Sequence, residues 1–137
     1  MLNIRYELVK EKKAKPDWDN RGFGKHFTDH MFIMQYSESE GWHDAKIVPF
    51  DYIPIHPAST VLHYGAEIFE GMKAYRSEND EILLFRPEKN FQRLNVSNER
   101  LCIPLIDEAF CVEAVRKLVE VDADWIPTNP GTSLYIR

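Results

Sequence analysis

The sequence has few of the residues that would indicate a metal site or a nucleotide-binding fold. It contains two cysteines, Cys102 and Cys111, with neither a CxxC pair nor the Cys/His spacing of a zinc site. Its six glycines form neither GxGxxG nor the GxxxxGK of a phosphate-binding loop, so a dinucleotide or nucleoside-triphosphate fold has no support. We therefore predict no metal ion and no disulfide, and we expect both cysteines to be buried thiols.

Charge and hydropathy exclude two further kinds of partner. The 17 basic and 22 acidic residues give a formal net charge of -5, which is not the basic surface that a nucleic acid requires. Apolar runs such as Ile82–Phe85 are far shorter than the roughly 18 residues of a membrane-spanning helix, and Met1–Lys15 is charged rather than signal-like. We expect a cytoplasmic protein that binds neither nucleic acid nor a membrane.

The chain has enough apolar material for one folded domain, since 44% of its 137 residues are hydrophobic. Its beginning differs from the rest, because residues 1–20 are rich in lysine and continue through Pro16 into the polar run Asp17–Asn20. We interpret residues 1–20 as a solvated, partly mobile arm that Trp18 attaches to the domain. The remaining residues, 21–137, form the predicted domain.

Hydrophobic periodicity and turn residues predict strands in hairpins, with helices between and after them. The expected strands are Phe27–Tyr36, Ala45–Ile55, Met72–Arg76, Glu81–Phe85 and Ser133–Arg137; the expected helices start near Thr60, Pro87 and Asp107, and Gly71 breaks the first. Because Pro49 and Pro54 cannot donate to a ladder, the second strand should lie at a sheet edge or break there. This order predicts an α+β domain with a mainly antiparallel sheet.

Two groups of polar side chains are candidates for a site. Arg93 stands beside an apolar helical stripe, and a guanidinium can bind phosphate oxygens through paired donors. Tyr135 and Arg137 share one face of the last strand, where they could orient a carboxylate. Taken alone, the first pattern is more typical of a surface ion pair and the second of a solvent-facing strand.

Three motifs carry a family resemblance: LHYGAEIFEGMKAYR from Leu62, LLFRPEKNFQRL from Leu83, and SLYIR at residues 133–137. Together they resemble the amino-terminal domain of branched-chain amino acid aminotransferases, fold type IV enzymes that use pyridoxal phosphate. The resemblance runs from about Arg21 to Arg137. It implies that Arg93 contacts the cofactor phosphate. It also implies a substrate pocket lined by Phe23, Tyr64, Phe69, Tyr135 and Arg137.

The resemblance further implies a homodimer that exchanges an amino group between leucine, isoleucine or valine and 2-oxoglutarate. Members of the family are much longer, and the lysine that forms the Schiff base with the cofactor lies in a second domain, beyond the residue that matches Arg137. None of the nine lysines here stands in that motif. We therefore assign no catalytic residue, and expect the chain alone to be inactive and to hold the cofactor weakly or not at all.

Two alternatives stay open at this point. A D-amino acid aminotransferase or an aminodeoxychorismate lyase would share the architecture and the phosphate arginine, but should lack the combination of FTDHM, LHYxxxxFEG and SLYIR. A non-catalytic interaction or ligand-binding domain would suit a chain without the lysine.

His30, His56 and His63 receive no chemical role, since histidines without an adjacent carboxylate pattern are more often structural. Phe69 could also belong to the core, in one helical stripe with Leu62 and Ala66.

Overall fold

The computed structural model describes residues 3–137, so Met1 and Leu2 of the predicted arm lie outside the described residues. In chain order the strands are β1 (Arg5–Tyr6), β2 (His30–Ser37), β3 (Gly41–Pro49), β4 (Met72–Arg76), β5 (Ile82–Leu84) and β6 (Leu134–Ile136). The helices are α1 (Thr60–Tyr64), α2 (Pro87–Arg100) and α3 (Glu108–Val121), followed by a 3₁₀ turn at Ala123–Trp125. Two three-stranded sheets, ordered β1-β3-β2 and β5-β4-β6, confirm the α+β class. No helix within residues 3–137 is long and apolar enough to cross a membrane.

The first sheet confirms the predicted hairpin but not the position of its second strand. β2 and β3 pair antiparallel, with Phe32 opposite Ile47, and β3 ends at Pro49, where the ladder loses a donor. β3 is nevertheless the middle strand, because β1 pairs with its other side in parallel, with Arg5 opposite Lys46. Of the two expected outcomes, the break at a proline is therefore confirmed, at Pro49, whereas β3 does not lie at the sheet edge.

Helix α3 joins the two sheets. Its Asp107 cap accepts a hydrogen bond from the Phe110 amide at 2.8 Å, as its sequence predicts. Ala114 packs with Ile47 in the core under the first sheet, whereas Val119 packs with Ala74 under the second. Because α3 has apolar side chains on both sides of its buried face, one helix supplies the core of both sheets.

The first helix is much shorter than predicted. α1 is a single turn that ends at Gly65, which adopts a left-handed conformation (φ 58°) and so terminates the helix six residues before Gly71. Residues 65–71 then continue without regular structure. Leu62 and Phe69 are 58% and 70% exposed, so they do not form the expected core stripe.

The predicted arm is integrated into the fold. Ile4 is buried in the core of the first sheet, and the amide of Val9 donates to Nε2 of His30 at 3.0 Å. The ring of Trp18 meets that of Trp125 edge-on at 6.5 Å between centroids, which confirms its role as an attachment point. Most side chains of residues 3–20 are exposed, as expected of a solvated arm, but the pairing of β1 with β3 and the burial of Ile4 anchor its beginning to the first sheet.

The two cysteines differ. Cys111 is buried on α3, and burial together with the nearby Asp107 raises the pKa of its thiol to about 11. Cys102 is exposed just after α2, with a positive φ of 55°. The prediction of a buried thiol is therefore confirmed for Cys111 and wrong for Cys102.

A buried polar cluster holds the arm against the end of α3. Asp122 accepts from the backbone amide of His30 at 3.0 Å and lies 2.7 Å from its Nδ1. Since the Val9 amide donates to Nε2, the ring proton is on Nδ1 and is donated to Asp122. Asp29, which is fully buried, accepts from the indole of Trp125 at 2.7 Å and from the Lys13 amide at 2.8 Å. His30 is thus structural, as expected.

Replacement of Asp29 by Asn should destabilise the fold in a pH-dependent way. Burial opposes its charge, but the hydrogen bonds from Trp125 and Lys13 and the charge of Lys15 outweigh burial and lower its pKa below 3.8. A lowered pKa stabilises the fold above the unfolded value, and this stabilisation is lost as the pH falls through the folded value. Asp29→Asn should cost about 1–3 kcal/mol at pH 7, because an amide cannot accept from both donors.

Urea denaturation followed by circular dichroism from pH 7 to pH 3 measures this effect. The difference between the variant and the parent chain should shrink below pH 3.8, the ordinary value for Asp29. Asp51→Asn, at an exposed position, is the matched control. A difference that stays constant down to pH 3 would show that the charge of Asp29 does not stabilise the fold.

Candidate functional site

The carboxylate of Glu70 is the centre of the site. Arg93 donates two hydrogen bonds to it, from Nε to Oε1 at 2.6 Å and from Nη2 to Oε2 at 2.8 Å. Oε2 also accepts from Nδ2 of Asn90 at 2.7 Å and from the amide of Gly71 at 3.0 Å. Asn90 and Arg93 reach one carboxylate because residues three apart lie on the same face of α2. Pro87 starts that helix at its first position, as the sequence predicts.

Hydrogen bonding keeps both members of this pair charged. Burial opposes the charge of Glu70, whose side chain is 9% exposed, but the donors of Arg93, Asn90 and Gly71 outweigh burial and lower its pKa. The same contact raises the pKa of Arg93. The Arg93 side chain is 68% exposed, and its Nη1 donates to no acceptor among residues 3–137. An anion in solution can therefore bind the outer edge of this guanidinium.

An aromatic pair lies beside the ion pair. The ring of Phe23 packs on that of Tyr135 at 5.6 Å between centroids, with 45° between the planes. The Tyr135 hydroxyl fills the space where Gly71 has no side chain, since a Cβ there would be 2.7 Å from it. The amide of Gly71 in turn donates to Glu70. Gly71 therefore brings the aromatic pair next to the carboxylate that holds Arg93.

Register explains why Tyr135 reaches Gly71. β6 pairs antiparallel with β4, with Tyr135 opposite Lys73, and Gly71 immediately precedes β4. Leu134 and Ile136 pack on the core of the second sheet, and Tyr135 projects to the other side. The predicted alternation along the last strand is confirmed.

The other predicted site residues lie apart from this group. Tyr64 and Phe69 are 84% and 70% exposed, and neither ring stacks on Phe23 or Tyr135. Arg137 lies over the ring of Phe27, with 5.5 Å from its Cζ to the ring centroid. The structure therefore links Phe23 and Tyr135 through Gly71 to the Glu70–Arg93 pair, and it does not bring Tyr64, Phe69 or Arg137 into contact with them.

Sequence reasoning did not assign roles to the residues that hold Arg93. Glu70 lies in the motif that begins at Leu62 and Asn90 in the motif that begins at Leu83, but nothing in their spacing indicates that they meet. Glu70 and Arg93 are 23 positions apart, and Glu70 and Asn90 are 20 apart. The useful signal was that both residues fall inside motifs shared with one family.

No protein-family model matches the chain. It is 56% identical over 134 residues to "Branched-chain-amino-acid aminotransferase 2" of Bacillus subtilis (strain 168), an alignment that covers 98% of this chain and 37% of that protein. It is 50% identical over 134 residues to "Branched-chain-amino-acid transaminase 1" of the same organism, with 98% and 38% covered. It is 43% identical over 136 residues to "Branched-chain-amino-acid aminotransferase, mitochondrial" of Bos taurus, with 98% and 35% covered.

These relatives are aminotransferases, and the similarity extends over nearly the whole of this chain. More narrowly, they are branched-chain-amino-acid aminotransferases, so the resemblance inferred from the three motifs is confirmed. The chain spans slightly more than a third of the length of these relatives.

Gly71→Ala should displace Tyr135. The new methyl group would lie 2.7 Å from the hydroxyl oxygen of Tyr135 and 3.2 Å from its Cε2, so the ring must move away from Gly71 and from its contact with Phe23. We expect a loss of about 1–3 kcal/mol of folding stability, as for other overpacked sites. Thermal denaturation measures the loss, and proton NMR contacts between the Phe23 and Tyr135 rings report the displacement.

A double variant provides the control. Tyr135→Phe removes the atom that makes the shortest of these contacts, so in its presence Gly71→Ala should cost clearly less than it does alone. Equal costs of Gly71→Ala in both backgrounds would contradict the close approach of the two residues.

Proposed function

We propose that this chain is the small amino-terminal domain of a branched-chain aminotransferase, residues 21–137 preceded by a segment at 1–20. The enzyme would move an amino group between leucine, isoleucine or valine and 2-oxoglutarate with pyridoxal phosphate, as a fold type IV homodimer. The observation that carries the proposal is 56% identity over 134 residues to a protein of that name. The convergence of Phe23, Tyr135 and Arg93 around Gly71 supports it independently.

The donors of Arg93 suit the phosphate of pyridoxal phosphate. Two of the five N–H groups of a guanidinium bind Glu70, and the outer edge remains directed at solvent. Arginine binds phosphate oxygens bidentately with such an edge. In the assembled enzyme Arg93 would hold the phosphate. The cofactor itself would supply an electron sink for the charge that develops on the substrate.

The aromatic residues suit the substrate. Branched aliphatic side chains favour an apolar wall, which the rings of Phe23 and Tyr135 provide. In the assembled enzyme the exposed rings of Tyr64 and Phe69 would add to it. Arg137 would orient the substrate carboxylate. It lies over the ring of Phe27 and forms no ion pair within the described part of the chain, so its N–H groups can donate to a substrate carboxylate.

The relatives favour this reading over the two alternatives. All three are named for branched-chain amino acids, not as a D-amino acid aminotransferase or a lyase. A non-catalytic role applies to the chain by itself, because none of its lysines stands in the motif of the lysine that binds the cofactor. The Bos taurus relative is named mitochondrial, so the cytoplasmic location expected from the sequence stays a prediction.

The two arginines should have separable roles in the assembled enzyme. Arg137→Ala should weaken substrate use by about 1–3 kcal/mol in kcat/KM, the worth of a charged hydrogen bond, and leave the cofactor bound. Arg93→Ala should loosen the cofactor. Cofactor retention is measured by absorbance after dialysis, and substrate use by steady-state kinetics with leucine. Equal loss of cofactor in both variants would contradict the assignment.

The 137-residue chain alone should catalyse no transamination. The reaction needs a lysine amine that binds the cofactor covalently and moves a proton at the substrate α carbon. None of the lysines here stands in the motif of that residue, and no other kind of side chain combines both functions. Glutamate formation is measured with the purified chain, pyridoxal phosphate, leucine and 2-oxoglutarate, against a mixture without protein. Borohydride reduction followed by mass mapping tests for a modified lysine. Turnover above the protein-free mixture, or stoichiometric trapping at one lysine, would overturn the prediction.

A further inference from the structure

We propose that Glu70 is a positioning residue, which Asn90 and the Gly71 amide hold in place so that the outer edge of the Arg93 guanidinium forms a receptor for a phosphate group. The identity of the anion rests on the proposed function. The positioning itself rests on the geometry of these four residues. The proposal explains why a nearly buried carboxylate accompanies an arginine that is itself exposed.

The Glu70 contact uses one particular edge of the guanidinium. Its carboxylate binds Nε and Nη2 of Arg93, at 2.6 and 2.8 Å. A planar guanidinium carries five N–H donors, so three remain on Nη1 and Nη2. Those donors form the end of the side chain and point away from Glu70. The contact with Glu70 therefore leaves a second edge of the guanidinium free, and this edge can donate to two oxygens of one phosphate.

Glu70 can fix Arg93 because it is itself fixed. Its Oε2 atom receives three hydrogen bonds, from Arg93, Asn90 and Gly71, and the Asn90 amide also donates to the Gly71 carbonyl at 3.0 Å. The side chain of Glu70 is 9% exposed, against 68% for Arg93. A bonded carboxylate thus immobilises a long side chain that would otherwise move freely in solvent.

Immobilisation and charge have opposite effects on anion binding. A free arginine side chain loses rotamer entropy when it binds an anion, and an arginine that is already ordered loses less of it. The negative charge of Glu70, however, repels an incoming anion. Glu70→Gln removes the charge and weakens the pair of hydrogen bonds from Arg93. The sign of the change in anion affinity on Glu70→Gln therefore decides between the two effects.

The test is a titration of the isotope-labelled chain, observed by NMR at the Nε–H group of Arg93. Inorganic phosphate and pyridoxal phosphate should both shift this signal, and pyridoxal, which lacks the phosphate, should not. Glu70→Gln should weaken phosphate binding about fivefold if part of the rotamer entropy is regained. Asn90→Ala, which leaves the net charge unchanged, should weaken it to a lesser degree. Amide signal dispersion verifies that each variant folds.

Two controls match these variants. Glu78→Gln removes an exposed carboxylate in the turn before β5, and Arg100→Lys changes an arginine at the far end of α2; neither should alter the Arg93 response. Equal or tighter phosphate binding by Glu70→Gln would overturn the positioning role and leave Arg93 as a phosphate ligand. An Arg93 signal that no phosphate compound shifts would overturn the phosphate receptor in this chain; the role of Arg93 in the assembled enzyme is tested separately by cofactor retention in Arg93→Ala.

Discussion

The site depends on one carboxylate. Glu70 accepts four hydrogen bonds, two from Arg93, one from Asn90 and one from Gly71, and its side chain is 9% exposed. A charge so little exposed is unfavourable unless donors surround it, so each donor is required where it stands. The irregular segment before β4 is thereby joined to helix α2. The positions of Arg93, and of the glycine on which Tyr135 packs, both follow from that junction.

The two sheets present this junction to the surface. β4 is the middle strand of the second sheet, and β6 beside it places Tyr135 close to Gly71. Helix α3 packs against both sheets and fixes their cores, while the cluster of Asp29 and Asp122 holds the beginning of the chain to the end of α3. The polar contacts of Glu70 lie outside these two apolar cores. The scaffold is therefore built by packing, and the site is oriented by hydrogen bonds.

Local signals predicted the elements that local interactions determine. Pro87 and Asp107 start α2 and α3 where expected, and both hairpins form, because a helix cap or a turn acts within a few residues. The differences from the prediction have two kinds of cause. β3 is a central strand through pairing with Arg5–Tyr6, about forty positions away, whereas α1 ends early for a local reason, the left-handed conformation of Gly65. Arg93 and Tyr135 were found through motifs, whereas the role of Glu70 required the folded chain.

We propose that Phe23, Tyr135, Glu70 and Arg93 together form the part of an aminotransferase site that this domain contributes. A crystal structure of the assembled enzyme with pyridoxal phosphate and a leucine analogue tests this proposal. We expect phosphate oxygens on the outer edge of Arg93, both hydrogen bonds from Arg93 to Glu70 intact, and the aliphatic side chain against the rings of Phe23 and Tyr135. A phosphate held elsewhere, with Arg93 still turned to solvent, would contradict it.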